Sequence, residues 1–530
     1  MHIIGRRGGV VFLLLISLTA SAVRASAGAE STVVDLKINK AFVEIATVGK
    51  GAFRLSVSTA GKPQPSQSIF LADPEGNSAA VGEKVTEGNL VGIKSSGGEL
   101  LIDPKSGEWS LRDSAGKVLI PPCRIGGYLN DGAIELNVGW PVDKPIQVYG
   151  CGNGTSSLLQ GQGRTHLDNG RAVVPHFWSD AGYAALAVSA DDNAPASWGP
   201  SDSGITWRFP GSSADLYLMP AGNLNDAARA YAMLTGPPPV PPRWAFGYLQ
   251  SRWGWKDRAY IDDTLKQFVD RKLPVDAFIF DFEWYTTHPD YMLPPEGKAD
   301  FTDFSFNPAL FPDPAAQIAK MRANGIHFVG IRKPRIGNTA VLNDLRAKGW
   351  IDVQALADSK HWILPRGEKI DLRNIDFQRS DVRAWYADQL VDLLKTGISG
   401  WWDDEGELTY TTYYWWNQAE ADALAKVDPS GRLWTIDRAF QPGLQRQGAA
   451  AWTGDIHADW KTLRRTPTDL LNWSLAGMDY GACDIGGFSG EDTPELLARW
   501  MEAGVFFPVM RAHSDFTVQP RFPWLYGPEA

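Results

Sequence analysis

The sequence predicts a (β/α)₈ barrel preceded by an antiparallel β-sandwich, and three observations carry that prediction. From about Ser31 to Met219, short alternating apolar runs are separated by Gly, Pro, Asn and Asp, the period-two pattern of antiparallel strands. The segment PPPVPPRW, Pro237 to Trp244, cannot be helical and reads as a stiff connector. Beyond it, strand-like runs alternate with amphipathic helical stretches to the end of the chain. Eight such alternations fit a closed barrel better than a doubly wound sheet, because no G-x-G-x-x-G follows a strand to mark a dinucleotide site.

In chain order, residues 1–27 come first. Arg6 and Arg7 precede the apolar run Val10 to Leu18, and small residues follow with A-x-A sites ending at Ala22 and Ala27. That is the pattern of a signal peptide, since the apolar stretch is far shorter than the ~20 residues of a stable span. The expectation is an exported protein, periplasmic or extracellular, with no membrane segment after cleavage. Residues 28–236 are assigned to the sandwich, with strands such as Val33–Ile38, Ala41–Ile45, Phe53–Val57 and Leu100–Ile102. Asn225 is expected to cap a short helix, Asp226–Leu234, before Gly236. Residues 237–530 are assigned to the barrel. Its predicted strands are Phe246–Gln250, Ala277–Phe282, His327–Ile331, Gly400–Asp404, Leu433–Ile436, Ala450–Thr453, Asp479–Asp484 and Val505–Met510. Helices are predicted at Ala259–Lys272, Pro314–Asn324, Asp381–Leu394 and Pro494–Glu502, and long excursions follow the second and third strands.

Composition narrows the function. A net charge of −10 argues against a nucleic-acid partner, and 44% hydrophobic content argues against disorder. Cys123, Cys151 and Cys483 lack metal-ligand spacing, so no metal is expected and at most one disulfide. The 22 tryptophans offer broad apolar faces suited to sugar rings, although cores use indoles as well.

In such a barrel the reactive groups project from the C-terminal ends of strands. Four aspartates close apolar runs: Asp281 in FIFDFEWY, Asp404 in GWWDDEGE, Asp455 in AAWTGDI and Asp484 in YGACDIGGF. Trp284, Trp401, Trp402, Trp452 and Phe488 flank them. Paired carboxylates among indole faces suit glycoside hydrolysis, where one carboxylate attacks or stabilises the anomeric centre and another protonates the leaving oxygen. Taken singly, each has a plainer reading. Asp403 to Glu407 fits a solvated loop or a calcium cluster, Asp455 a turn or helix cap, and Asp281 and Asp484 buried hydrogen-bonders.

Together these residues resemble glycoside hydrolase family 31, retaining exo-acting α-glycosidases, over Tyr149 to Glu529. YGCGN from Tyr149 and PHFWSDAGYAALAV from Pro175 resemble the family's N-terminal strand segments facing the site. GISGWWDDEGE resembles the motif W-x-D-x-x-E, which implies Asp404 as nucleophile and Glu407 as its accompanying glutamate. The stretch Arg438 to Asp455 resembles the acid/base segment, implying Asp455 as proton donor. GACDIGGF and RWMEAGVFFPVMRAHS match the following signatures. By position the resemblance implies substrate contacts from Asp281, Trp402, Arg438, Trp452, Asp484, Phe488, Arg511 and His513. Three departures stand out: a longer spacing from Phe440 to Trp452, GIRKPRIG after the third strand, and Glu283 and Trp284 following Asp281. They leave the sugar open. The family's closing helix and C-terminal β domains are absent after FPWLYGPEA, so a fragment is expected.

The implied activity is hydrolysis of a terminal α-linked hexose by double displacement, without cofactor. The two carboxyls are expected at about 5 to 7 Å. Retained Asp281 favours α-glucoside, with α-galactoside next, while Glu283, Trp284, Arg332 and Lys333 extend the polar reach. The alternatives are an α-galactosidase, an α-xylosidase or a transglycosylase of the same family, and, from another class, a non-catalytic carbohydrate-binding protein. The expected partner is an oligosaccharide or other α-glycoside.

Overall fold

The computed structural model describes residues from 33 onward, except 74–81, 141–146, 153–172, 288–299 and 357–372 and the short breaks at 50, 65, 129–130, 202–203, 302–303, 309, 337–338 and 529. The proposed signal peptide, the segment after Gly152 and much of both long excursions therefore lie outside the described residues.

Alternation in the first half builds two antiparallel sheets. One runs Val33–Ile38, Ala41–Val48, Ala52–Ser58, Ser213–Pro220, Tyr183–Ser189, Val173–Ser179, Val148–Gly152 in spatial order; the other has eight strands from Ser197–Ser201 across to Glu83–Glu87. Apolar residues from both sheets share one core, where Phe177 of the first stacks on Trp207 of the second at 5.9 Å. The chain leaves by the helix Leu224–Thr235. Its cap is Asn223, not Asn225, because the Asn223 side chain accepts from the Asp226 N–H. Two residues earlier, the extended backbone at Asn223 leaves its oxygen free to satisfy the first-turn amide.

The second half forms one sheet of eight parallel strands: β1 (Tyr248–Arg252), β2 (Ala277–Phe280), β3 (His327–Arg332), β4 (Gly400–Asp403), β5 (Thr435–Asp437), β6 (Ala449–Trp452), β7 (Gly481–Ala482) and β8 (Met510–Ala512). β8 pairs with β1, and a parallel bridge from Ile485 to Ala512 joins the remaining edges, closing the barrel. The eighth strand starts later than Val505–Met510. Residues 505–507 turn off the last helix, and Phe506 is 88% exposed, which a central barrel strand would forbid.

Around the barrel lie α1 (Arg258–Asp270), α2 (Pro314–Ala323), α3 (Ser380–Thr396), α4 (Thr412–Val427), α5 (Trp460–Leu475) and α6 (Pro494–Gly504). Asp257, Asp313, Asp459 and Thr493 cap α1, α2, α5 and α6 through their side-chain oxygens. α3 ends at Gly397, whose φ of 113° reverses the chain into β4. The sandwich is fastened to the barrel by polar contacts. The Gly150 N–H donates to Asn472 on α5 at 3.1 Å, Arg446 reaches the Ile69 carbonyl at 2.7 Å, and Gln445 reaches Thr235 Oγ1 at 2.8 Å. His176, in the segment expected to face the site, instead packs on Tyr231 at 4.2 Å, and burial holds its imidazole down at about 3. All three cysteines are free thiols.

Candidate active site

Three neighbouring strands end in charged pairs. β3 closes in Arg332 and Lys333, β4 in Asp403 and Asp404, β5 in Asp437 and Arg438. Parallel register sets Arg332 opposite Asp403, and Asp403 opposite Asp437. Since successive side chains of a strand point to opposite faces, one member of each pair enters the barrel mouth and the other enters the wall beneath the helices.

In the mouth, Asp404 is surrounded by donors. Its Oδ1 accepts from the Glu405 N–H at 2.8 Å and lies 3.1 Å from Arg438 Nε, while its Oδ2 pairs with Lys333. Arg438 Nη2 also reaches Asp455 at 3.2 Å, so a single guanidinium touches both carboxylates. Asp455 arrives there because Gly454, at φ 73°, turns the chain back after β6. Glu407 lies 3.9 Å from Arg438 and accepts from the Tyr413 hydroxyl at 3.3 Å.

The floor is aromatic and cationic. Trp402 and Trp452 meet edge to face at 5.6 Å, and the Arg511 guanidinium lies 4.2 Å from Trp402 and 5.5 Å from Trp452. Arg511 binds Asp484 at 2.5 Å and Ser251 at 3.2 Å. Ser251 also bonds His513 Nδ1 at 2.8 Å, leaving His513 Nε2 4.0 Å from Asp281. Phe488 stacks on His513 at 5.3 Å. One pocket thus gathers Asp281, Trp402, Asp404, Glu407, Arg438, Trp452, Asp455, Asp484, Phe488, Arg511 and His513.

Burial dominates the acid–base character. It pushes the carboxyls of Asp281, Glu407 and Asp484 up to about 7, against the pull of Lys333, Arg438 and Arg511 respectively. Asp455 opens to the pocket yet is also raised, by burial and the neighbouring Asp404 charge, with Arg438 and Lys333 opposing. His513 is held well below its usual value by burial and then by Arg511, so it faces the pocket as a neutral ring. Trp452 Nε1, His513 Nε2 and one oxygen of Asp484 are buried with no protein hydrogen-bond partner. Groups of that kind are available to sugar hydroxyls.

Several expectations need correction. Trp284 does not line the pocket: it is fully buried and donates to the Ile331 carbonyl at 2.9 Å. Trp401 likewise packs into the wall beside Trp284. Arg332 points outward among Tyr285, Phe304 and Tyr386, and so adds no polar reach to the mouth. Glu283 is buried and accepts from the Gly254 N–H at 2.6 Å. Of the four residues expected to extend the polar reach, Lys333 does enter the mouth, where it pairs with Asp404, and Ser251 is a pocket residue that the strand-end test missed, because it considered only aspartates. Applied to every charged residue closing an apolar run, the same test finds Lys333.

Among the described residues, no group of three or more His, Cys, Asp or Glu side chains is arranged to hold a metal ion, and no helix is long and apolar enough to cross a membrane. A second cleft of about 610 Å³ lies at the opposite end of the barrel, lined by Arg243, Trp244 and Asp276 at the strand starts. In this fold that end serves stability, not chemistry.

Comparison with known proteins agrees with this geometry. Residues 238–530 match the family description "Glycosyl hydrolases family 31 TIM-barrel domain". A 1,6-alpha-glucosyltransferase from Sporosarcina globispora is 25% identical over 88% of this chain and 39% of its own length. Neutral alpha-glucosidase AB from Mus musculus is 29% identical over 61% of this chain and 36% of its own. The chain thus spans less than two fifths of the length of these curated relatives. A family 31 alpha-xylosidase from a soil metagenome, solved with xylose, superposes with a TM-score of 0.79 at 20% identity, covering 92% of this chain and 77% of that one, which is a likeness of fold. The match over more than half of its length shows that the chain belongs to glycosyl hydrolases family 31.

Proposed function

We propose that this protein is a retaining, exo-acting α-glycoside hydrolase in which Asp404 is the nucleophile and Asp455 the acid/base. The observation that carries this reading is the Arg438 guanidinium in contact with both carboxylates at the strand ends. In the first half-reaction Asp404 attacks the anomeric carbon, the bond to the aglycone breaks, and the Asp455 proton passes to the departing oxygen. In the second, water attacks the same carbon, gives its proton to Asp455, and the Asp404 carboxylate leaves. The raised pKa of Asp455 supports its starting the cycle protonated. Asp281, His513 and Asp484 are assigned to sugar hydroxyls, with Trp402, Trp452 and Phe488 forming the apolar walls. Glu407 supports Arg438.

The preferred sugar is an α-linked glucose, because Asp281 is retained beside a neutral His513. Transfer to a sugar acceptor is a second outcome of the same steps, favoured by the likeness to a glucosyltransferase. Residues 28–236 and 237–530 are the working units, and the basic and apolar start of the chain supports export. The test is a panel of aryl α-glycosides of glucose, xylose, galactose and N-acetylgalactosamine, with and without an acceptor sugar. One sugar should exceed the others by more than ~100-fold. Strongest turnover of xyloside would overturn the hexose assignment, and no turnover of any would leave a binding protein.

A further inference from the structure

We propose that Lys333 is a catalytic residue of the second half-reaction, stabilising the Asp404 carboxylate as it leaves the sugar, and that Glu405 holds the Lys333 ammonium while Asp404 is esterified. The proposal deepens the assignment of Asp404 as nucleophile and rests on it.

Five observations support it. Lys333 closes β3 and pairs with Asp404 Oδ2, an atom of the reacting carboxylate. Its side chain is only 4% exposed, so water does little to replace that partner. The second carboxylate within reach is Glu405, at 3.1 Å from the same nitrogen. Glu405 stands at φ 57°, a left-handed conformation that is strained for a side-chain-bearing residue, and it occupies the position directly after the nucleophile. That turn lets one residue donate its N–H to Asp404 Oδ1 and extend its carboxylate to Lys333. The ammonium also lies 4.4 Å from the Phe282 ring centre, an apolar face that does not compete for its charge.

The charge on Asp404 changes through the cycle, and Lys333 follows it. In the free enzyme the negative charge on Asp404 and its attraction to Lys333 are greatest. In either transition state the charge is partial, because the bond between oxygen and anomeric carbon is partly formed. In the glycosyl-enzyme the charge is gone, and Lys333 is left with Glu405. Breaking the oxygen–carbon bond returns the electron pair to Asp404 beside Lys333, while the water proton goes to Asp455. An interaction stronger in the transition state than in the state before it accelerates a step. Lys333 therefore favours departure of Asp404 and holds back its attack.

The test compares Lys333→Met, Lys333→Arg and Glu405→Gln on 4-nitrophenyl α-glycoside of the sugar preferred in the panel. For Lys333→Met, kcat should fall at least ~10-fold while kcat/KM changes less than ~3-fold, with a burst of about one nitrophenol per site as the glycosyl-enzyme accumulates. Lys333→Arg should restore most of kcat. Glu405→Gln, at a part-exposed position, should act with the opposite sign, lowering kcat/KM without a burst. Equal falls in kcat and kcat/KM for Lys333→Met without a burst would overturn the proposal, as would a burst in Glu405→Gln. Should Lys333→Met fail to fold, the arginine and glutamine variants decide alone: loss of kcat in the first or a burst in the second overturns it. Labelling of the unaltered protein with the 5-fluoro glycosyl fluoride of the same sugar separates the two assignments. Its attachment to Asp404 supports the nucleophile reading whatever Lys333 does, and attachment elsewhere would remove the basis of both.

Discussion

The barrel mouth and the barrel wall each hold a cluster of carboxylates, separated by a single residue along the chain, and they solve opposite problems. In the mouth, Asp404 and Asp455 meet Lys333 and Arg438, so negative charge is answered by cations close at hand. In the wall, Asp403, Asp437 and Glu420 from α4 are packed with Asn417, and Arg332 is the cation acting on them. Asn417 donates to Asp403 at 2.9 Å and to Asp437 at 3.4 Å, and Asp403 also shares hydrogen bonds with Glu420 and Asp437, which requires protons among the three carboxyls. Burial drives Asp403 up to about 7 and Asp437 and Glu420 well above their usual range. Asp403 and Asp437 are register partners, so neither can move away from the other's charge. Proximity in sequence thus says little about ionisation. In the mouth two cations answer Asp404, whereas in the wall burial pushes all three carboxyls toward the protonated form.

The sharpest way to break this comparison is to neutralise the two adjacent aspartates separately. Asp404→Asn should lower kcat/KM by at least ~10⁴-fold, since no other group is placed to attack the anomeric carbon. Asp403→Asn should change it by less than ~10-fold, because an amide resembles the protonated acid already there. Comparable losses from the two substitutions, measured on the same aryl glycoside, would show that wall and mouth act as one unit.

Next in size is the division of labour within the mouth. Asp455→Ala should cost ~10² to 10⁴-fold on substrates with poor leaving groups and far less on activated aryl glycosides, which need little proton assistance. A plot of log kcat/KM against leaving-group acidity should steepen in the variant. An unchanged slope would deny Asp455 its role.

The indoles offer the same contrast in terms of stability. Trp401 and Trp402 are consecutive, yet the first is packed against Trp284 in the wall and the second faces Arg511 and His513 in the mouth. Trp401→Ala should destabilise folding by about 3 to 5 kcal/mol. Trp402→Ala should raise KM with a smaller change in the thermal midpoint. Denaturant unfolding and steady-state kinetics on both variants check this.

Those pairs also show how far the sequence could be read. The eight-strand barrel, its connector and the sandwich were legible because period-two runs, the proline segment and strand–helix alternation are local signals. The four strand-end aspartates were legible for the same reason. Register was not: nothing in the sequence places Arg332, Asp403 and Asp437 side by side, since the strands are joined by tens of residues. Nor does an aromatic next to an aspartate reveal its face, which is why Trp284 and Trp401 were read as pocket walls. The last strand was misplaced because VFFPVM is apolar enough for a strand, while Gly504 and the following turns carry it past the end of α6.

The smallest expected effect concerns pH, and it isolates the wall. A carboxyl whose folded value is raised keeps its proton in the fold after the unfolded chain has released it. Its contribution to stability is whole below the ordinary value near 4 and is lost as pH rises toward the folded value. For Asp403, and for Asp281, Glu407 and Asp484 in the mouth, that loss runs from about 4 to about 7. His176 and His513 oppose it there, because imidazoles held neutral by burial contribute above about 6.5 and lose that contribution as pH falls. The same sign holds for Glu420, Asp437 and Glu283, whose folded values burial raises well above their usual range, so each adds to the fall from its ordinary value upward. Each such group contributes up to about 1.4 kcal/mol per pH unit. Glu420→Gln, which keeps the shape and discards the proton equilibrium, should therefore flatten the fall in unfolding free energy above about pH 5 by up to that amount per unit. Glu283→Gln serves as the partner measurement, since the charges acting on Glu283 are Asp281 and Arg252. Should Glu420→Gln leave that fall intact while Glu283→Gln flattens it, the wall would not hold the proton, and its carboxylates would have to be ionised against Arg332.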